Sequence, residues 1–229
     1  MKEYKAIFFD RDGTITRNDP EIDKELHRRY KELTGVELVI PYERFIKFFN
    51  KAHEQNKSYI PYKTLEDEML FFTDFYELLL IDDGVEEGLK EKAKYLGEKL
   101  WYTYKKPFDE VVEVLEYFKN KGYIMGVISD CPPSLKYSLE LIGLSKYFTS
   151  FTASAIVGVG KPNPRIYQYA LDFEGVKAEE CIYVDDTLIE SDVAREMGMT
   201  AFHIDRKGEA DKTDWTISNL KEIIKFLEN

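Results

Sequence analysis

Four short apolar runs, each followed by polar or acidic residues, constrain the fold of this chain more than any other feature. The runs are Ala6–Phe9, Tyr123–Ile128, Ile182–Val184 and Ala201–Ile204, and a fifth, weaker run surrounds Phe151. Their apolarity is continuous rather than alternating, which is typical of strands that are buried on both faces of a parallel sheet.

Helical patterns lie between these runs. Pro107 is expected at the start of one helix, which then presents an apolar stripe that includes Val114 and Phe118. Asn163 and Pro164 form a cap and a first turn for another helix. Because strands and helices alternate, the sequence predicts an α/β fold with a doubly wound parallel sheet.

The segment 17–105 breaks this alternation and has only helical patterns. One of its apolar stripes consists of Phe45, Phe48, Phe49 and Ala52. Such a stripe is more typical of a domain's own core than of a ligand site. We therefore predict a core domain formed by 1–16 and 106–229, with an all-helical domain, 17–105, inserted between its first and second strands.

The charge of the chain limits its partners. A formal net charge of −11 over 229 residues disfavours nucleic acid and anionic lipid. No apolar run approaches the roughly 18 residues that a membrane-spanning helix needs. The run that precedes Asp10 is also too short for a secretion signal, so we expect a cytoplasmic protein that acts on neither membranes nor nucleic acid.

Cysteine and histidine offer no zinc pattern. Cys131 and Cys181 are the two cysteines of the chain, and they do not form a CxxC pair. This spacing argues against zinc and fits a reducing compartment. The histidines, His27, His53 and His203, are scattered along the chain, and we interpret them as structural or solvated residues.

Two carboxylates, Asp10 and Asp12, follow the first apolar run directly. In a doubly wound sheet, ligands bind at the carboxyl ends of the strands, so both side chains can face one pocket. The neighbouring Asp12-Gly13 pair is also an ordinary turn signal. Taken alone, this segment leaves the two interpretations open.

Two later segments could bind a phosphate oxygen. Ser129 and Asp130 end the second run, where a hydroxyl and backbone amides can bind an anion, although helix capping is the simpler explanation. Lys161 is held between Gly160 and Pro162 and could offer a point charge to a phosphate. Taken on its own, a solvated loop lysine is the favoured interpretation.

The fourth segment is an acidic pair, Asp185 and Asp186, with Glu190 four residues further on. Carboxylate oxygens are the ligands that Mg²⁺ prefers in proteins. The alternative is an acidic helix N-terminus, which is common.

Together, the four segments resemble the motifs of the haloacid dehalogenase-like superfamily of phosphohydrolases, and the resemblance extends over the whole chain. The matching motifs are Asp10-Arg11-Asp12-Gly13-Thr14, Ser129, Lys161-Pro162-Asn163-Pro164, and Asp185-Asp186 with Glu190. The resemblance implies a Rossmann-like core, and the helical insert looks like the cap domain of that family. Asp130 stands where many members carry Asn, and Ala155 stands where an acidic residue is usual, so the substrate class stays open.

The resemblance also implies a mechanism. Asp10 is expected to be the nucleophile that forms an aspartyl-phosphate, which splits one difficult step into two easier ones. Asp12 is expected to protonate the leaving oxygen and then to activate the hydrolytic water.

The same resemblance implies a metal ion and a phosphate site. So many carboxylates beside a phosphate make a divalent cation close to a requirement, and we expect Mg²⁺ as the cofactor. The implied metal ligands are Asp10, Asp12 through its backbone carbonyl, and Asp186, and the implied phosphate-binding residues are Ser129, Asp130 and Lys161. Asp185 and Glu190 are expected beside the ion or joined to it through water.

Three other functions are weighed against a phosphatase that acts on a small phosphorylated metabolite. Dehalogenases of the family lack the second aspartate of the first motif, so Asp12 disfavours dehalogenation. A sugar phosphomutase of the β-phosphoglucomutase type shares every core motif and stays open. A non-catalytic binding protein is disfavoured because Asp10 and Asp12 are intact.

Overall fold

The computed structural model describes residues 3–55, 62–99 and 105–229. The chain divides into two compact units, which we call the sheet unit and the helical unit. The sheet unit consists of Met1–Arg17, Lys106–Cys131 and Leu135–Asn229, and the helical unit of Asn18–Lys105 and Pro132–Ser134.

Strands and helices alternate through most of the sheet unit, whereas the first helices of the chain, up to Lys99, belong to the helical unit. The strands of the described ranges are β1 (Ala6–Phe9), β2 (Thr16–Asn18), β3 (Lys105–Pro107), β4 (Ile124–Ser129), β5 (Ser150–Ala153), β6 (Cys181–Asp185), β7 (Thr200–Ile204) and β8 (Thr216–Ile217). The α-helices of the same ranges are α1 (Pro20–Thr34), α2 (Tyr42–Gln55), α3 (Leu65–Asp82), α4 (Leu89–Lys99), α5 (Val111–Asn120), α6 (Leu135–Leu141), α7 (Ser154–Val157), α8 (Pro164–Glu174), α9 (Leu188–Glu196) and α10 (Lys221–Glu228).

The main sheet has six strands in the described part of the chain, in the order β5-β4-β1-β6-β7-β8. All neighbouring strands run parallel, and Phe9 of β1 is in register with Val127 of β4 and Val184 of β6. The chain passes from β1 to β4 on one side and later returns to β6 on the other, which creates a topological switch point beside β1. The predicted doubly wound parallel α/β sheet is confirmed.

Alternate side chains of β1 enter two different apolar layers. Ile7 and Phe9 pack with residues of α5, α6 and α10, whereas Ala6 and Phe8 pack with residues of α8 and α9. All four side chains are fully buried, and burial of each Phe stabilises the fold by about 1.5–3 kcal/mol. Burial on both faces explains why the run is continuously apolar.

The helix starts were predicted with mixed success. Asn163 caps α8, because its side chain accepts a hydrogen bond from the Arg165 N–H, and Pro164 occupies the first turn. The placement of Pro107 at a helix start was wrong, because α5 begins at Val111. Pro107 instead ends β3, which pairs with β2 in a separate two-stranded sheet.

The helical unit has an apolar core of its own. Phe48 and Ala52 of the predicted stripe are buried in it, and Phe45 and Phe49 pack against it. Glu68 is fully buried in this unit, and its carboxylate accepts hydrogen bonds from the N–H and the Oγ of Ser134, both at 2.8 Å. Residues 132–134, which the sequence analysis placed in the core domain, group with the helical unit accordingly.

None of the described helices combines the length and the apolarity that a membrane-spanning helix needs.

Candidate active site

The carboxyl ends of three neighbouring strands bring most of the predicted site residues together. Asp10 directly follows β1, Ser129 ends β4 and Asp185 ends β6, and these strands are adjacent in the sheet. All three side chains are buried, although each carries polar atoms. Buried polar groups need partners, so their contacts define the site.

Lys161 lies at the centre of an acidic cluster. Its Nζ atom is 2.8 Å from Asp10 Oδ1, 2.7 Å from Asp185 Oδ2 and 2.6 Å from Glu190 Oε2. The lysine side chain is only 3% exposed, so water screens these ion pairs weakly. One cation thus faces three carboxylates in the described site.

The excess of negative charge changes the acidity of the cluster. Burial raises the pKa of Asp10 to about 8; Asp185 and Asp12 add to this rise, whereas Lys161 opposes it. Partial desolvation of its carboxyl group and the neighbouring Asp185 also raise the pKa of Asp186, although the residue as a whole is exposed. The cluster therefore favours a further cation or bound protons.

Lys161 and Glu190 titrate away from their ordinary ranges for related reasons. Burial alone would lower the pKa of Lys161, but Asp10 and Asp185 outweigh it and hold that pKa above its ordinary value. Burial and the neighbouring Asp185 raise the pKa of Glu190 to about 7, against the influence of Lys161. The ammonium is therefore a permanent charge near neutral pH.

The two residues of the acidic pair differ in their surroundings. Asp185 is fully buried, and its Oδ2 accepts hydrogen bonds from Lys161 Nζ and the Tyr183 hydroxyl, while its Oδ1 accepts one from the Thr187 N–H at 2.8 Å. These partners occupy both oxygens of Asp185, so we interpret it as the residue that orients Lys161. Asp186 is exposed, and its backbone carbonyl lies 3.1 Å from His203 Nε2.

A cluster of three carboxylates fits a divalent cation. One oxygen each from Asp10, Asp185 and Asp186 lie within 4.8 Å of one another. The donors are oxygens, which suit Mg²⁺. The expected set of Asp10, Asp12 and Asp186 differs from this cluster at one position, because Asp12 was expected to contribute its backbone carbonyl rather than its carboxylate.

Gly13 lies against Asp186 in this arrangement. It has a φ of +81°, and a Cβ built on it would lie 1.9 Å from Asp186 Oδ2. Only glycine therefore allows the turn after Asp12 to approach the acidic pair so closely.

We expect Gly13→Ala to destabilise the protein more than Gly122→Ala does. Both glycines have nearly the same φ, +81° and +82°, but a Cβ built on Gly122 would meet no described atom within 4 Å. Alanine at a positive φ costs about 1–2 kcal/mol at either site, and the contact with Asp186 adds about 1–3 kcal/mol at residue 13. Urea unfolding of both variants in chelator measures the difference, and equal losses would contradict the close approach.

The carboxylate of Asp12 is not one of the three clustered carboxylates and has partners of its own. Its Oδ2 is 2.9 Å from Arg11 Nη2, its Oδ1 is 3.1 Å from Arg11 Nε, and Thr16 Oγ1 donates to Oδ1 at 3.1 Å. The Arg11 guanidinium is itself fixed by Ser138 Oγ at 3.1 Å. Asp12 is therefore held in a defined orientation while its side chain stays 41% exposed.

Asp130 and Lys161 are joined through the backbone. The Lys161 N–H donates to Asp130 Oδ1 at 2.9 Å, and a Cβ built on Gly160 would lie 2.7 Å from that oxygen. Asp130 thus holds the loop that carries Lys161, beside the buried Ser129.

Two supporting residues were missed by the sequence analysis. Tyr183 lies two residues before Asp185 on the same strand, so both side chains share one face, and this spacing could have suggested the contact. Arg11 had no predicted role beyond its place in the first motif, and nothing in the sequence indicates that it binds Ser138, 127 residues away.

Several known proteins are similar to this chain in sequence or in fold. The glyceraldehyde 3-phosphate phosphatase of Methanocaldococcus jannaschii is 26% identical over 234 residues, which covers 98% of this chain and 97% of that protein. The phosphoglycolate phosphatase of Aquifex aeolicus is 26% identical over 229 residues, with 98% and 97% coverage. The crystal structure of a HAD phosphatase from Thermococcus onnurineus superimposes with a TM-score of 0.63 and 27% identity, covering 97% of each chain.

The sequence profile of one family matches residues 4–198, which include all four motifs and the carboxylate cluster. The resemblance inferred from the motifs is thereby confirmed: the chain belongs to the haloacid dehalogenase-like hydrolase family.

Proposed function

We propose that this protein is a Mg²⁺-dependent phosphatase that hydrolyses a small phosphate monoester through an aspartyl-phosphate on Asp10. The observation that carries the proposal is the position of Asp10, at the end of the central strand, 2.8 Å from a buried lysine and within an acidic cluster. Family membership and the two phosphatase relatives support the reaction class.

In the first step, a carboxylate oxygen of Asp10 attacks the phosphorus atom. The bond between phosphorus and the leaving oxygen breaks, and Asp12, which enters the cycle protonated, gives its proton to that oxygen. In the second step, water attacks the phosphorus of the aspartyl-phosphate, Asp12 takes a proton from that water, and the bond between phosphorus and the Asp10 oxygen breaks. Inorganic phosphate leaves, and both aspartates regain their starting forms.

Three groups are proposed to bind the transferring phosphoryl oxygens. They are the Lys161 ammonium, the Ser129 hydroxyl and the backbone amide of Asp130. The Asp130 carboxylate supports them, because it accepts the Lys161 N–H and so holds the loop in place.

The ligands of the proposed Mg²⁺ ion are the Asp10 and Asp186 carboxylates and the Asp12 backbone carbonyl. Asp185 and Glu190 orient Lys161 beside it. Two like charges 4 Å apart repel by about 4 kcal/mol at an effective dielectric near 20, so one lysine does not offset three carboxylates and a phosphate. When bound, the ion supplies the additional positive charge that stabilises the transferring phosphoryl group.

The substrate is proposed to be a small phosphorylated metabolite. The relatives above are named for glyceraldehyde 3-phosphate and phosphoglycolate, which are both short phosphate esters. A net charge of −11 disfavours polyanionic substrates such as nucleic acid. We also propose that residues 17–105 are the cap domain that selects the substrate.

Purified protein should release inorganic phosphate from short phosphate esters and from an aryl phosphate, and should do so only with added Mg²⁺. The physical reason is the uncompensated negative charge of the cluster. A panel of two- and three-carbon phosphates and sugar phosphates, with and without chelator, measures this, and Asp10→Asn serves as the inactive control.

The same assay separates the competing functions. Full activity after exhaustive chelation would overturn the metal assignment. Conversion of a sugar phosphate to its isomer without phosphate release would indicate a mutase, and the absence of turnover across the panel, with phosphate esters merely bound, would indicate a binding protein.

A further inference from the structure

The end of β7 carries none of the four motifs, yet two of its neighbouring side chains contact them. His203 Nε2 lies 3.1 Å from the backbone carbonyl of Asp186. Arg206 Nε donates to the backbone carbonyls of Gly13 and Thr14 at 3.1 and 3.2 Å, and its Nη2 also donates to Thr14. One short segment thus reaches the turns of the first and the fourth motif.

Arg206 is held from two further sides. Its Nη1 is 2.8 Å from Glu110 Oε1, and its guanidinium carbon lies 3.5 Å from the centre of the Phe108 ring. The side chain is only 13% exposed. A planar guanidinium fixed by an ion pair and by stacking has little freedom, so its remaining N–H groups point at the two carbonyls.

The contacted turn is the part of the first motif that borders the proposed metal site. Asp12, whose backbone carbonyl is a proposed ligand, directly precedes Gly13. Gly13 in turn lies against Asp186, since a Cβ on it would fall 1.9 Å from Asp186 Oδ2. A shift of the turn would therefore change the distance between the Asp12 carbonyl and the Asp186 carboxylate.

We propose that Arg206 is a positioning residue that holds the Gly13–Thr14 turn against Asp186, with His203 supporting the other side of the same contact. The inference rests on the proposed function in one respect, because the benefit of the contact is a preformed set of Mg²⁺ ligands. Partners outside the ligand set that orient metal ligands commonly contribute 10–100-fold in affinity.

The test compares Arg206→Met with Arg17→Met. Arg17 is a matched control, because its guanidinium also lies over the Phe108 ring, at 5.3 Å, and pairs with a carboxylate, Asp109, without a hydrogen bond to either motif turn in the described contacts. Two quantities are measured for each protein: hydrogen exchange of the amides of residues 12–16 in chelator, and the Mg²⁺ dissociation constant by calorimetry.

We expect the amides of residues 12–16 to exchange faster in Arg206→Met than in the parent. We also expect this variant to bind Mg²⁺ about 10–100-fold more weakly. Arg17→Met should match the parent in both. Saturating Mg²⁺ should restore most of the turnover lost in Arg206→Met, which a general loss of structure would not allow.

Unchanged exchange and unchanged Mg²⁺ affinity in a folded Arg206→Met protein would overturn the proposal. If that variant does not fold, Glu110→Gln decides in its place. It keeps the Oε1 acceptor but weakens the hold on Arg206, so both readouts should change in the same direction by a smaller factor, and no change would again overturn the proposal. If the parent binds no Mg²⁺, the proposed function fails, whereas exchange in chelator still decides whether Arg206 holds the turn.

Discussion

Asp12→Asn should slow the turnover of an alkyl phosphate by about 10²–10⁴-fold while leaving Mg²⁺ affinity nearly unchanged. The proposed role of the Asp12 side chain is proton transfer, and its carboxylate lies outside the carboxylate cluster, where it contacts Arg11 and Thr16. The amide is nearly isosteric, and the backbone carbonyl that is proposed to bind the ion stays in place. Steady-state turnover and calorimetric titration with Mg²⁺ measure the two quantities.

The leaving group provides the sharper arm of this experiment. An aryl phosphate with an acidic leaving group needs little protonation. In a single-turnover measurement, Asp12→Asn should therefore slow the first step much less for the aryl phosphate than for the alkyl phosphate. Asp109→Asn is the control, because that carboxylate pairs only with Arg17 among the described contacts and is 89% exposed. If Asp12→Asn slowed the first step by the same factor for both substrates, Asp12 would not be the acid.

Asp10→Asn should abolish turnover and, without metal, make the protein more stable than the parent by about 1–2 kcal/mol. Asp10 is 5% exposed and forms a cluster with Asp185 and Asp186, and the nearby Asp12 adds to the negative field, so its charge is repelled in the folded state but not in the unfolded chain. The substitution removes one partner of Lys161, yet this lysine keeps its ion pairs with Asp185 and Glu190.

The pH dependence of this effect has a defined sign. Burial raises the pKa of Asp10 from 3.8 to about 8, so between these values the folded protein binds this proton more tightly than the unfolded chain does. The stabilising contribution is therefore fully present below about pH 4 and is lost as the pH rises toward 8. Burial raises the pKa of Glu190 to about 7, which adds a further loss of stability as the pH rises.

Thermal melts in chelator at pH 5 and pH 8 test this expectation. Because the raised pKa values of Asp10 and Glu190 lie between or near these two pH values, the parent should be less stable at pH 8 than at pH 5. Asp10→Asn lacks one of the two groups and should lose less stability over the same range. Excess Mg²⁺ should narrow or reverse the order, because the parent gains about 2.7 kcal/mol when free metal is a hundred times its dissociation constant, whereas the variant binds the ion less well. A lower melting temperature of Asp10→Asn in chelator would show that the carboxylates do not form a repulsive cluster.

The sequence by itself determined the class of fold and the places where the chemistry is expected. Runs such as Ala6–Phe9 are apolar at every position, and this local property is sufficient to indicate strands buried on both faces. Polar residues directly after such runs then lie at one edge of a parallel sheet, which places Asp10, Ser129 and Asp185 near one another without further information.

Some local expectations were overridden by partners far along the chain. Pro107 is compatible with a helix start, but it ends a short strand that pairs with Thr16–Asn18. The pairing involves a segment about ninety residues earlier, so no window around Pro107 contains the information that decides its conformation.

Only the tertiary structure separated the roles of adjacent or distant residues in the site. Asp185 and Asp186 are chemically identical in the sequence, yet one is buried against Lys161 and Tyr183 while the other is exposed beside Gly13. Arg206 contacts the carbonyl of Thr14 across 192 residues. Local patterns determine which segments become strands and where these end, but the environment of a single side chain depends on which distant backbone groups packing brings within about 3 Å of it.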